Sequence, residues 1–281
     1  MLGSEIEPLL KADKIEYIGT DREVDITKGD EIARFVSGKE IKWIINAAAY
    51  TNVDGAEAEN KKAFSVNSLA VQNLANIAKN RGIKMIHIST DYVFDGLKQT
   101  PYTEDDPANP QSVYGKSKLE GETLLRSILK KHFVIRTSWL YGKSGKNFVK
   151  TILGLLKTDD EIKVVNDQLG SPTSAADLAE VIVKTARGDL GNYGVYHFSN
   201  EGTTTWFEFA KTVYEIAEEI GLIHKTVNIF PVSTKEYPTA AARPKYSVLS
   251  KDKIKREMNV MIRDWRQSLR EFLLDIKICG N

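Results

Sequence analysis

Short apolar runs rich in β-branched residues alternate along the chain with longer stretches whose apolar positions recur every three to four residues. IEYIG (15–19), KWIINAAA (42–49), KMIHIST (84–90) and HFVIRTSW (132–139) read as strands. Between them KGDEIARFV (28–36), KKAFSVNSLAVQNLANIAKN (61–80) and YGKSKLEGETLLRSIL (114–129) read as helices. The strand runs are nearly continuous rather than alternating, as expected where both faces of a parallel sheet are covered. Strand–helix alternation with right-handed crossovers predicts an α/β fold, a doubly wound parallel sheet of Rossmann-like type. Prolines at 101, 107 and 110 mark a loop between the third run and the helix from Tyr114.

Past residue 145 the alternation loosens. Helices are expected near 147–157, 175–186, 206–220 and 265–277, strands at 162–166 and 195–199, and a proline-bearing segment from Pro231 to Pro244. The division that follows is a dinucleotide-binding domain over 1–145, joined by late sheet elements from about 175–200, and a smaller, interleaved substrate-binding lobe over 146–281. There is no internal repeat and no low-complexity tract.

Composition narrows the partners. Thirty-nine basic and 38 acidic residues leave a net charge of +1, which gives no electrostatic case for nucleic acid or an anionic membrane. The one cysteine, Cys279, excludes an intrachain disulfide and favours a reducing compartment. The opening MLGSEIEPLLKADK is acidic where a signal peptide is basic and apolar. No apolar run approaches the roughly 18 residues of a membrane span. A cytoplasmic protein is expected, and a homodimer is left open.

Candidate chemistry gathers at the carboxyl ends of the strands, where open α/β sheets bind ligands. Asn46-Ala47-Ala48-Ala49-Tyr50-Thr51 follows one strand, and its small side chains let a flat cofactor approach the backbone. Ser89-Thr90-Asp91-Tyr92 and Arg136-Thr137-Ser138-Trp139 end two others. Such residues also terminate strands and cap helices without further role. Tyr114 precedes Lys118 by one helical turn; an ammonium so placed can lower a phenol's pKa and ease proton transfer, although the spacing alone also suits ordinary helix surface. Asp21 ends the first run, where an acid takes ribose hydroxyls, and Arg22 beside it suits a 2′-phosphate instead. Gly115-Lys116-Ser117 and Gly142-Lys143-Ser144 lack the upstream glycine of a phosphate cradle. The four histidines have no metal-ligand spacing, and His87, inside an apolar strand, reads as core.

The motifs NAAAYTNVD (46–54), STDYVFDG (89–96), VYGKSKLEGE (113–122), RTSWLYG (136–142), NFVKT (147–151), DQLGSPT (167–173), GTTTWFEFA (202–210) and AARPKYSVL (241–249) occur in order along nearly the whole chain. Together they resemble the extended short-chain dehydrogenase/reductase superfamily and, within it, the dTDP-4-dehydrorhamnose reductase family. The resemblance implies NADPH- or NADH-dependent reduction of a 4-keto sugar carried on thymidine diphosphate. It implies catalytic roles for Tyr114, Lys118 and Thr90, with Asp91, Trp139 and Arg243 joining Thr90 on the substrate. Met1, Leu2, Asp21, Arg22, Asp25, Ile26, Ala49, Tyr50 and Thr51 would line the cofactor with Tyr114 and Lys118. No metal is implied.

The family opens with a strand and a Gly-x-x-Gly-x-x-Gly turn that brings backbone N–H groups to the pyrophosphate. Met1-Leu2-Gly3 matches only the last three positions of that turn, so a strand and two glycines are expected upstream. Two other readings stay open from the sequence: a nucleotide-sugar epimerase or dehydratase, and a non-catalytic nucleotide-binding subunit of the same fold.

Overall fold

The structure, a computed structural model, describes residues 1–188 and 192–279. Four parallel strands form the central sheet in the order β1 (Trp43–Asn46), β2 (Lys84–Thr90), β3 (His132–Thr137) and the strand Gly194–His197. The register aligns Asn46 with His87, Thr90 with Thr137 and Arg136 with His197, so these polar residues lie toward one edge.

Alternation along the strands explains the continuous apolar runs. Ile86, Phe133, Ile135 and Tyr196 point to one face, against α1 (Leu2–Ala12), α8 (Ala175–Arg187) and α10 (Asp252–Met258). Met85, Val134 and Val195 point to the other, against α2 (Gly29–Val36), α5 (Ala70–Arg81) and the end of α6 (Val113–Ile128). A third cluster joins α7 (Phe148–Thr158), the strand Glu161–Val165, α9 (Trp206–Glu219) and α11 (Trp265–Cys279) around buried Phe209 and Trp265. The elements at 175–187 and 194–197 return to the central sheet.

Three segments depart from the sequence reading. Residues 15–19 form no strand. Their apolar positions suit one, but a strand exists only when a neighbour takes its backbone groups, and this segment joins no ladder. Ile15 and Tyr17 instead rest at the margin of the α1–α8 cluster, and Ile18 is exposed. Met1-Leu2-Gly3, matched to the end of a glycine turn, lead into α1, a helix the sequence reading did not assign, whose Leu2, Ile6 and Leu10 make a buried stripe. The helix expected over 61–80 is divided into α4 (Asn60–Phe64), a π-helical turn (Ser65–Leu69) and α5. A further short strand, Asn228–Val232, containing Pro231, pairs in parallel with the strand Glu161–Val165; a proline is tolerated in so short an edge ladder.

Candidate active site

The helix α6 presents Tyr114, Gly115, Ser117, Lys118, Gly121, Glu122 and Leu125 on its buried face, the three-to-four spacing of one helical stripe. Ser112 caps it, its hydroxyl accepting from Gly115 N at 3.1 Å. Two glycines let it sit close: a Cβ at Gly115 would lie 2.2 Å from Tyr92 O, and one at Gly121 would lie 2.1 Å from Asn67 O. Tyr114 and Lys118 are therefore interior residues.

The phenol of Tyr114 lies beside Thr90 at the end of β2. Thr90 Oγ1 donates to Asp91 Oδ1 (3.0 Å) and accepts from Tyr92 N (3.2 Å). Burial raises the Tyr114 pKa, with Thr90 opposing and Asp91 and Tyr92 adding to the rise. The phenol is thus held protonated, and the lowering expected from Lys118 is absent. Burial also raises Asp91 to about 6, with the Ser247 and Thr90 hydroxyls opposing.

Lys118 explains that absence by its direction. Its Nζ donates to Ile88 O at 2.6 Å and lies 3.5 Å from His87 Nε2. Burial lowers its pKa to about 8, with Glu122 opposing. Glu122 is itself taken by Arg136, in a buried pair with Nη2–Oε2 at 2.7 Å and Nε–Oε1 at 2.9 Å. Arg136, a rim residue in the sequence, is thus a structural cation whose guanidinium also lies over Phe94.

The turn after β1 lies beside this helix. Ala47, Ala48 and Thr51 are exposed, and Ala49 and Tyr50 half-buried. Asn67, from the π-helical turn, accepts from Tyr50 N (2.8 Å) and donates to Tyr50 O (3.1 Å) and Ser117 Oγ (3.0 Å). It joins the turn to α6, and the sequence reading did not single it out; a polar residue inside a helical apolar stripe was the available signal.

Arg243 reaches the same edge from the proline-bearing segment. It donates to Tyr92 Oη at 2.8 Å and to Asp54 Oδ2 at 2.5 Å. Tyr92 in turn meets Tyr114 edge-on, ring centroids 5.6 Å apart. Asp54 also accepts from Ala241 N, a role its motif did not reveal. A cleft of about 230 Å³ opens between Tyr92, Gly96, Ser112 and Arg243. Trp139 takes a left-handed backbone (φ 48) and stacks on Trp206 at 3.5 Å, with Gly170 against its ring.

The remaining expected cofactor residues stand apart from Tyr114. Asp21 and Arg22 are exposed. The Asp25 carboxylate accepts from Thr27 N and Oγ1, which lowers its pKa. The carbonyls of Ile26 and Thr27 are held by Asn73. The side chain of Leu2 belongs to the core, so only its backbone is available to a ligand, and Met1 lies against Gly142. Among the described residues no group of His, Cys, Asp and Glu is arranged to hold a metal, and no helix is long and apolar enough to cross a membrane.

The whole arrangement has known counterparts. A family profile described as the RmlD substrate binding domain matches residues 1–278. A dTDP-4-dehydrorhamnose reductase from Sinorhizobium fredii is 44% identical over 242 residues, 84% of this chain and 81% of that protein. The crystal structure of a dTDP-4-dehydrorhamnose reductase from Clostridium acetobutylicum superposes with a TM-score of 0.92 at 41% identity, covering 98% of this chain and 96% of that one. One from Bacillus anthracis, in complex with NADP, gives a TM-score of 0.92 at 39% identity, covering 98% and 95%. With its profile spanning nearly every residue, the chain belongs to the RmlD substrate binding domain family, alongside these dTDP-4-dehydrorhamnose reductases.

Proposed function

We propose that the chain is the reductase that converts the C4 ketone of dTDP-4-dehydro-L-rhamnose to the alcohol of dTDP-L-rhamnose, using NADPH or NADH. The observation that carries this is the buried Tyr114, its phenol held protonated beside Thr90 at the end of β2, where Thr90 donates to Asp91. A ketone gaining hydride develops negative charge on oxygen and needs a proton donor beside it. Tyr114 supplies that proton, and Thr90 orients the ketone oxygen.

The cofactor fits the exposed alanines at 47 and 48 and the turn held by Asn67, where no bulky side chain blocks the backbone. A reduced nicotinamide supplies the hydride when bound. Lys118 holds its ribose, and Ala49, Tyr50 and Thr51 line it. Asp21, Arg22, Asp25 and Ile26 lie on the adenosine side, with the backbone of Met1 and Leu2 toward the pyrophosphate. Asp91, Trp139 and Arg243 contact the sugar nucleotide. Arg243 is the diphosphate partner, its fork suited to two oxygens at once. Residues 146–281 serve mainly as the substrate lobe.

Steady loss of NADPH absorbance with dTDP-4-dehydrorhamnose tests the reading. Sugar-nucleotide binding without turnover would instead favour a binding subunit of the same fold. A retained oxidised cofactor would favour an epimerase or dehydratase.

A further inference from the structure

His87 lies at 0% exposure in the middle of the sheet, between Asn46 and Lys118. Its Nδ1 is 3.1 Å from Asn46 Nδ2, and its Nε2 is 3.5 Å from Lys118 Nζ. The Asn46 amide is oriented by its own oxygen, which accepts from Ala48 N at 3.2 Å. The NH2 group therefore faces the imidazole and can only donate, so Nδ1 accepts and the ring proton sits on Nε2. That N–H is directed at Lys118.

The consequence is a conflict of donors. An ammonium at Lys118 meets the Nε2–H head-on, whereas an amine offers it a lone pair. For Lys118 to be an ammonium, the ring proton must sit on Nδ1, and the Asn46 amide must turn over to present its oxygen. Ala48 N–H then loses its acceptor and is free for a ligand. The ring is neutral in both arrangements, and the net change is one proton taken up at Lys118.

We propose that His87 is a positioning residue that couples the proton on Lys118 to the orientation of the Asn46 amide, and through it to the Ala48 N–H of the turn that faces the cofactor. The proposal rests on the reading of Lys118 as part of the reductase site. Burial lowers the His87 pKa well below the usual imidazole value, with Lys118 and His132 adding, so the ring does not charge in place of the lysine. The other ionised group facing Lys118 is Glu122 on its own helix, held by Arg136 from β3.

Nitrogen NMR of the His87 ring in the full chain, followed from about pH 6 to 10, reads the coupling without reference to activity, since the span brackets the lowered Lys118 pKa of about 8. The expected result is a change of tautomer, Nδ1–H at low pH and Nε2–H at high pH, that disappears in Lys118→Met. One tautomer throughout overturns the proposal.

Two variants separate the links, because an Asn side chain reaches the place of Nδ1 and a Gln side chain that of Nε2. His87→Gln presents an oxygen to Lys118 and should move the alkaline limb of kcat upward by about one pH unit. It should also raise KM for NADPH several-fold by releasing Asn46, while His87→Asn leaves that KM near its wild-type value. Loss of thermal stability alone, with pH profile and KM unchanged in both variants, would reduce His87 to core packing. A wild-type chain that switches tautomer yet oxidises no NADPH would leave the coupling standing and remove the reductase reading.

Discussion

The guanidinium of Arg243 and the carboxylate of Asp54 meet at 2.5 Å across 189 positions of sequence. The pair fastens the proline-bearing segment to the start of α3 (Val53–Ala58), just past the turn that follows β1. A diphosphate on Arg243 would compete with Asp54 for the same donors. Arg243→Ala should raise KM for the sugar nucleotide by about ten-fold or more, the scale of one charge-assisted pair. NADPH affinity should stay near wild type, measured by cofactor fluorescence. Equal loss of both affinities would assign Arg243 to folding instead.

Tyr114→Phe removes one hydroxyl and keeps the ring in its cluster with Ala56, Ala63 and Val53. Turnover should fall by about 10²–10⁴-fold, the usual worth of a positioned general acid. Binding of the sugar nucleotide, by calorimetry, should be largely kept. Turnover near the wild-type value would take Tyr114 out of the chemistry.

Asp91 gives a pH dependence of stability. Its folded pKa, about 6, stands above its ordinary value of 3.8. The folded state therefore holds the proton more firmly, and stability falls as pH rises between these values. Asp91→Asn removes the buried charge. Above pH 6 it should be more stable than wild type by up to about 3 kcal/mol, an order-of-magnitude figure from two pKa units. The advantage should vanish near pH 3. Urea melts at acid and neutral pH decide it, and a less stable variant at neutral pH would contradict the assignment.

The buried Arg136–Glu122 pair, 4% and 1% exposed, should behave unlike the surface pairs. Glu122→Gln leaves an uncompensated guanidinium and should cost about 3–5 kcal/mol in denaturant unfolding. Arg34→Ala, which breaks the exposed Arg34–Asp30 pair, should cost less than about 1 kcal/mol. Equal losses would mean that water reaches the buried pair.

Much of this architecture was legible because its signals are local. KMIHIST gave β2 at its observed bounds, since β-branched residues in an unbroken apolar run leave few alternatives to a buried strand. The helix of Tyr114 and Lys118 was visible in its spacing, and its motif brought Thr90 to the same edge. Non-local partners stayed hidden. IEYIG has a strand's composition, but pairing is a property of two segments, and no ladder takes it up. His87 was rightly read as buried, yet nothing in its neighbours announced Asn46 or Lys118. The direction of the Tyr114 shift also escaped, because one-turn spacing does not say where a lysine's four carbons lead.

Asn67 grips the amide and the carbonyl of Tyr50 while bonding Ser117 on the helix of Tyr114 and Lys118. Folding has thus already removed the freedom of the turn on which a dinucleotide would rest. A ligand arriving there meets a surface with little conformational entropy left to lose, and its binding heat should report contacts and displaced water rather than the ordering of a loop.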